Sequence, residues 1–265
     1  MAYTLDNPVR KKLLGGEVSL GSWCITGNAL TAELMAASGM DWVMMEMEHF
    51  PYHIPMLADC VRAVERGGSV PFARLPACDP VWIKQTLDSG VLGIVLPLVR
   101  SADEVRKAVQ WSRFPPLGQR PYGGGRVGTV YGTEYLKHAN EHVLTMIQIE
   151  TREALAELDA ILDMEGYDGC FVGPVDLALA LGKDATRWRT EMKDVVLDLG
   201  RRIRKAGKVP GTIAQSVEDA MELAQNGYQM VSCFSDLGAV STTASSAREK
   251  MTAMNRGGKG SAPQP

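Results

Sequence analysis

Glu46, Glu48, His49, Arg74, Gln148, Glu150 and Asp176 stand at the ends of short apolar runs, and together their side chains suit acid–base and metal chemistry. Glu150 and Asp176, with the carboxamide of Gln148 and no cysteine nearby, make a hard oxygen donor set. Such a set suits Mg²⁺, Mn²⁺ or a similar cation that keeps open water positions, not a closed structural zinc. Arg74, in PFARLP, offers a fixed fork of donors for a carboxylate or an enolate oxygen. His49 is the side chain best suited to move protons near neutral pH, and Glu46 or Glu48 is placed to accept from its other ring nitrogen. Taken singly, each residue has a plainer reading: acids favour helix starts, an arginine pairs with a barrel acid, a lone histidine is structural. Their joint placement at the ends of separate runs favours a site.

The elements that must position these residues follow from the hydrophobic pattern. Strands are expected near Ser19–Ile25, Asp41–Met47, Ser69–Leu75, Gly93–Val99, Val143–Ile149, Gly169–Gly173, Lys208–Ile213 and Gln229–Phe234. Several are apolar on consecutive positions, as strands buried on both faces are. Helical spacing marks Leu30–Ala37, Ile54–Arg66, Ala102–Ser112, Arg152–Leu162 and Val217–Gln225. Strand–helix alternation of this kind implies parallel pairing through right-handed crossovers. An open doubly wound sheet also satisfies the alternation, but eight strands and no Gly-x-Gly-x-x-Gly after the first favour a closed (β/α)8 barrel. In such a barrel the site lies at the carboxyl ends of the strands, where the polar residues above fall.

One connection is long: FPPLGQRPYGGGRVGTVYG, then a helix over Glu134–Glu141. Long loops inside compact domains are usually functional or disordered. Arg113, Arg120 and Arg126 lie among its glycines, so the segment is expected to fold over an anionic ligand, with Arg120 as a substrate-binding residue. Other candidates carry less. Pro51 separates His49 from His53, so the two are no helical metal pair. His138 and His142, in HANEH, read as solvated helix residues at the far end of the barrel. Lys84 sits in the helix after the third strand and not at a strand end, which disfavours a Schiff base. The five cysteines lack Cys-x-x-Cys spacing and read as reduced, buried thiols of a cytoplasmic protein.

The chain has 265 residues, 45% hydrophobic and 22% charged, which suits one large domain over residues 1–250, with a disordered tail over 251–265. A net charge of -3 gives no basic face for nucleic acid, and no apolar run is long enough for a membrane span.

The stretches GMDWVMMEMEHFP, VPFARLP, DPVWIKQTLDSG, FPPLGQRPYG, IQIETREAL and EGYDGCFVGPVDLALALG occur in that order. On them, from about Leu20 to Thr243, the chain resembles the HpcH/HpaI family of metal-dependent aldolases. The resemblance implies Glu150 and Asp176 as ligands of a divalent cation (Mg²⁺ or Mn²⁺, with Co²⁺ a third candidate) and Gln148 as a contact to metal-bound water or substrate. It implies Arg74 as the residue on the keto oxygen and enolate, and His49 as the residue on the aldol hydroxyl proton. The amides of Gly173 and Val175 are expected to receive the substrate carboxylate. Asp88 is expected to reach a neighbouring subunit's site, in a trimer or hexamer whose last helix is exchanged between subunits. The reaction implied is cleavage of a 4-hydroxy-2-oxo acid into pyruvate and an aldehyde.

One departure stands out. Where the family shows Asp-x-Glu-His, this chain has Glu46-Met47-Glu48-His49, and an extra methylene moves the carboxylate by roughly 1.5 Å. The rival reaction keeps the site: oxaloacetate decarboxylation, or trapping of the enolate by an acceptor in specialised biosynthesis. A non-catalytic barrel sensing a 2-oxo acid is disfavoured by the intact Arg74, Glu150 and Asp176.

Overall fold

The computed structural model describes residues 5–257. In chain order the first half holds α1 (Pro8–Leu14), β1 (Ser19–Cys24), α2 (Ala29–Ala37), β2 (Trp42–Glu46), α3 (Ile54–Gly67), β3 (Val70–Arg74), α4 (Pro80–Asp88), β4 (Gly93–Leu96) and α5 (Ala102–Ser112). There follow α6 (Gly125–Tyr131), α7 (Thr133–His142), β5 (Leu144–Ile149), α8 (Arg152–Ala156), α9 (Leu158–Leu162), β6 (Gly169–Val172) and α10 (Pro174–Ala180). The described residues end with α11 (Trp188–Glu191), α12 (Lys193–Lys205), β7 (Val209–Ile213), α13 (Val217–Gln225), β8 (Met230–Ser235) and α14 (Asp236–Gly257). All eight strands pair in parallel, and β8 closes on β1 to make a barrel.

Local chemistry sets the helix starts. His53, Asp79, Ser101 and Ser216 cap α3, α4, α5 and α13, each side chain accepting from a first-turn N–H that has no partner within its helix. Gly68 ends α3 at φ 92°, a conformation costly for residues with a Cβ.

Two apolar layers result. Between strands and helices lie residues such as Val43, Met45, Leu57, Ile94, Ile147 and Leu199. Inside the barrel lie Trp42, Met44, Phe72, Met146, Phe171 and Met230, with Trp42 and Phe72 stacked at 5.9 Å between ring centroids. These rings fit because the facing positions are glycines: a Cβ on Gly21 would meet Trp42 at 2.0 Å, and one on Gly93 would meet Phe72 at 2.4 Å. The amino-terminal end of the barrel is closed by α1. Val9 and Leu13 join the interior layer, Asn7 donates to the carbonyls of Leu92 and His142 at 2.8 Å, and Gln229 donates to that of Leu13 at 2.6 Å.

The strand expectations hold to within a few residues. β4 is the shortest against expectation, ending at Leu96, because Leu98 turns the backbone left-handed at φ 54°. The helix expected over Arg152–Leu162 is broken at Glu157 into α8 and α9. The glycine-rich segment contains a helix, α6, and the expected tail is helical from Met251 to Gly257; positions 258–265 lie outside the described residues. His138 is exposed and pairs with Glu134 and Glu141, whereas His142 is only partly exposed, 3.7 Å from Asp6. The cysteines are free thiols; Cys24, Cys60 and Cys170 are buried, and Cys78 and Cys233 are partly so.

The long connection does not fold over the strand ends that carry the site acids. Arg113 donates to the carbonyls of Val143 (2.8 Å) and Gly166 (3.0 Å), just ahead of β5 and β6, and pairs with Asp168 at 3.0 Å. Arg126 pairs with Glu65. Arg120 is buried, pairs with Asp88 at 2.7 Å, donates to the Tyr135 hydroxyl at 3.1 Å and lies 4.5 Å over the Phe114 ring. All three guanidiniums are thus taken up by internal acids and carbonyls near the amino-terminal end. Burying an arginine demands such partners.

Candidate active site

Parallel pairing carries the carboxyl ends of the strands to one rim, and there Glu46 and Arg74 face each other as register partners on β2 and β3. Glu46 is buried, and its Oε2 accepts from Arg74 Nε at 2.7 Å and lies 2.6 Å from Nη2. Its Oε1 accepts from the backbone N–H groups of Glu48 (2.9 Å) and His49 (3.2 Å). Glu46 therefore holds the turn that carries His49 without touching the imidazole, contrary to the expectation that it orients the ring. The ring itself is 54% exposed, with Nε2 3.8 Å from Glu48 Oε2.

Arg74 Nη1 also lies 3.2 Å from Glu48 Oε2, and its guanidinium sits 5.0 Å from the Trp23 ring centroid. The two Nη atoms carry more N–H donors than these contacts use. Trp23 is fixed by its indole N–H, which donates to Ser232 Oγ at 2.6 Å. Glu48 accepts no hydrogen bond through Oε2 although that atom is buried. Burial pushes the Glu48 carboxyl up to about 7; Arg74 opposes the shift, while Glu150, Glu46 and Asp176 add to it.

Glu150 follows β5 and is buried. Its Oε1 accepts from the Leu98 N–H at 2.7 Å, and Oε2 accepts from Gln148 Nε2. Burial raises its pKa first; the Leu98 N–H opposes this, and the Asp176 charge adds to it. Asp176 stands in the first turn of α10, where Pro174 presets the helical φ. Gly173 lies directly beneath: a Cβ there would come within 2.7 Å of Glu150 Oε2 and 3.0 Å of Gln148 Nε2. The Gly173 N–H donates to the Ile149 carbonyl at 3.1 Å, extending the strand ladder, so it is not free for a substrate carboxylate as expected. The Val175 N–H, in the first turn of α10, has no acceptor within the helix.

Glu46 and Glu48 thus pair with one guanidinium, and Glu150 and Asp176 lie close enough to push the Glu48 carboxyl up, so acids outnumber cations at this rim. Gln148 Oε1 is buried without a partner. A divalent oxygen-seeking cation fits both features. Among the described residues no group of three or more His, Cys, Asp and Glu side chains is placed to hold a metal ion; Glu150 and Asp176, each acting on the other's charge, could hold one only as a pair with most positions left open.

These groups, except Glu48 and Glu150, line a cavity of about 770 Å³, which suits a small-molecule ligand. Asp88 and Arg120 do not line it. Trp23, Ser232 and Leu98 were not expected from the sequence. A tryptophan in a strand gives no sign of lying under an arginine, and Leu98 acts through its backbone alone.

A parallel barrel with an acid–arginine cluster at its carboxyl rim defines a (β/α)8 enzyme of small-molecule chemistry. The chain belongs to the HpcH/HpaI aldolase/citrate lyase family, whose model matches residues 20–243. It is 33% identical over 252 residues to a 4-hydroxy-2-oxo-heptane-1,7-dioate aldolase of Shigella flexneri, covering 94% of this chain and 93% of the relative. It is 37% identical over 231 residues to a 2-keto-3-deoxy-L-rhamnonate aldolase of Klebsiella pneumoniae, covering 83% of each. A family protein from Burkholderia cenocepacia has the same fold (TM-score 0.86, 28% identity, 93% of this chain and 99% of that one). The citrate synthase SbnG aligns with TM-score 0.83 at 26% identity, over 93% of this chain and 98% of that one. The chain is a carbon–carbon lyase of the aldolase class acting on small molecules. No helix among the described residues is long and apolar enough to cross a membrane.

Proposed function

We propose that the chain is a divalent-metal-dependent pyruvate aldolase that cleaves 4-hydroxy-2-oxo acids to pyruvate and an aldehyde. The observation that carries this reading is the excess of carboxylates at one rim, two of them paired with the single guanidinium of Arg74. Glu150, Asp176 and the unpartnered Gln148 Oε1 would hold the cation, Mg²⁺ or Mn²⁺ with Co²⁺ a third candidate. When bound, the cation supplies Lewis-acid polarisation of the keto group. Arg74, held by Glu46, offers its remaining N–H donors to the keto oxygen and favours its charge as the C3–C4 bond breaks. The Val175 N–H receives the substrate carboxylate. His49, at the mouth, takes the hydroxyl proton directly or through water. Family resemblance supports a homotrimer or homohexamer in which α14 and Asp88 serve neighbouring subunits.

A second reading is supported by the exposed His49 ring, whose Nε2 lies no nearer than 3.8 Å to the Glu48 carboxylate, beyond hydrogen-bond reach. Enolate formation without a positioned aldol base suits oxaloacetate decarboxylation, or trapping of the enolate by an acceptor; the relative SbnG is named a citrate synthase.

The test is pyruvate release from 4-hydroxy-2-oxo acids with and without EDTA, with Mn²⁺ binding followed in parallel. Glu150→Gln and Asp176→Asn should lose both turnover and Mn²⁺ affinity while staying folded. EDTA-insensitive turnover would end the metal reading. Carbon dioxide from oxaloacetate with no aldehyde from any hydroxy-oxo acid would select the second reading.

A further inference from the structure

Two acids stand close to His49 in sequence, and they differ in what they have left to offer. A carboxylate has about four acceptor sites, and those of Glu46 are all engaged. Its Oε2 takes Arg74 Nε at 2.7 Å and lies 2.6 Å from Nη2, while Oε1 takes the backbone N–H groups of Glu48 and His49. Glu48 is the opposite case. Its side chain is 7% exposed, and its buried Oε2 accepts no hydrogen bond. That oxygen sits between two nitrogen groups, 3.2 Å from Arg74 Nη1 and 3.8 Å from His49 Nε2. A charge-assisted N–H···O⁻ bond is about 2.7–2.9 Å long, so roughly 1 Å separates the ring from such a bond. The exposed ring is free to turn about its Cβ–Cγ bond, a torsion with broad preferences, without moving the backbone. A carboxylate oxygen buried without a donor costs stability, which favours the turn. All three side chains belong to the ends of β2 and β3 and the loop after β2, so the relation is complete within one chain.

From this contrast we infer that Glu48, and not Glu46, is the positioning residue for His49: its Oε2 accepts the Nε2 hydrogen and leaves Nδ1 as the atom that takes the substrate hydroxyl proton. The inference rests on the proposed pyruvate aldolase reading and deepens it by naming the partner of the proton carrier. In cleavage the C4 hydroxyl proton passes to Nδ1, the hydroxyl carbon becomes the aldehyde, and the C3–C4 electron pair goes to the enolate. The imidazolium so formed carries its charge beside the Glu48 carboxylate, whose attraction favours it. Addition runs the same path backwards: Nδ1 returns its proton to the aldehyde oxygen as the new bond forms. Neither direction consumes a further reagent. Glu46 serves the other end of the reaction, because its carboxylate holds the guanidinium that faces the keto oxygen.

The experiment measures two rates on the full chain with Mn²⁺. Deuterium exchange into the pyruvate methyl group, without aldehyde, reads the enolate; addition of pyruvate to butanal or glyceraldehyde, whichever turns over faster, also needs the proton carrier. Glu48→Gln keeps the shape and an acceptor oxygen for Arg74 but loses the charge. It should slow addition by about 10- to 100-fold, part of what a positioned acid–base side chain contributes, and leave exchange within about threefold. Glu46→Gln, acting through Arg74, should slow both. In a His49→Ala background Glu48→Gln should slow addition by no more than about twofold, because two changes that act through one group do not add. Unchanged addition in Glu48→Gln overturns the inference. So does an equal loss of exchange, which would place Glu48 with Arg74, and so does full additivity with His49→Ala. Exchange by the unaltered protein without addition to either aldehyde overturns this inference alone; no exchange overturns the pyruvate reading and this inference with it.

Discussion

The Glu46 carboxylate grips the Arg74 guanidinium through Nε at 2.7 Å and, with its other oxygen, accepts the backbone N–H of His49 at 3.2 Å. One buried acid therefore sets both the charge partner of the keto oxygen and the start of the loop bearing the proton carrier. Glu46→Gln should leave Arg74 with one acid partner fewer and lower kcat by about 10- to 100-fold, a loss of a few kcal/mol at most. Glu46→Asp should draw back from Arg74 and lower kcat as well, with little change in KM. Steady-state kinetics on both variants checks this; full kcat in either would show that Glu46 does not position Arg74.

Glu150 owes one of its two contacts to a strained residue. Leu98 holds φ at 54° and donates to Glu150 Oε1 at 2.7 Å. Leu98→Gly keeps the N–H and relieves the left-handed conformation, which costs roughly 1–2 kcal/mol for residues with a Cβ. The variant should retain activity and match or exceed the parent in thermal stability. A large loss of turnover would show that the Leu98 side chain, and not its backbone, matters.

Gly173→Ala would place a Cβ 2.7 Å from Glu150 Oε2. The acid must then shift from its present place. Mn²⁺ affinity should fall by about 10- to 100-fold, as disturbing the surroundings of metal ligands does, while circular dichroism stays unchanged. Unaltered Mn²⁺ titration would remove Gly173 from the argument.

The Glu48 carboxyl is raised from 4.5 to about 7. The folded, metal-free protein then binds this proton more tightly than the unfolded chain, so stability is lost as pH climbs from about 4.5 through about 7. Glu48→Gln removes that loss. Its melting temperature should exceed that of the parent above neutral pH, by an effect of up to about 3 kcal/mol, and the difference should vanish toward pH 4.5. A constant difference across the range would show that Glu48 ionises normally. Added Mn²⁺ should narrow the gap, because a cation relieves the same repulsion.

The barrel was legible because β2, β5 and β6 are buried throughout and are mostly apolar on consecutive positions, and because glycine punctuates the turns. The acids and Arg74 were legible because strand ends in a parallel barrel share a rim. The partners of Glu46 were not. Whether its carboxylate meets a ring nitrogen or a guanidinium depends on the β2–β3 register, which pairs it with Arg74. The fate of Arg113, Arg120 and Arg126 was hidden for a similar reason. Their partners Asp168, Asp88 and Glu65 come from three other segments, and no spacing in the glycine-rich stretch names them.

The floor of the barrel has a consequence for how the chain comes to be folded. Gln229 is 216 positions from Leu13, whose carbonyl it secures, and β8 must arrive before β1 gains its second neighbour. During synthesis α1 can meet Leu92 and His142 through Asn7, but its Gln229 contact waits until β8 has been made. Contacts of such sequence separation fold slowly. The nascent protein spends that interval with two open sheet edges, the state in which a chaperone would find it.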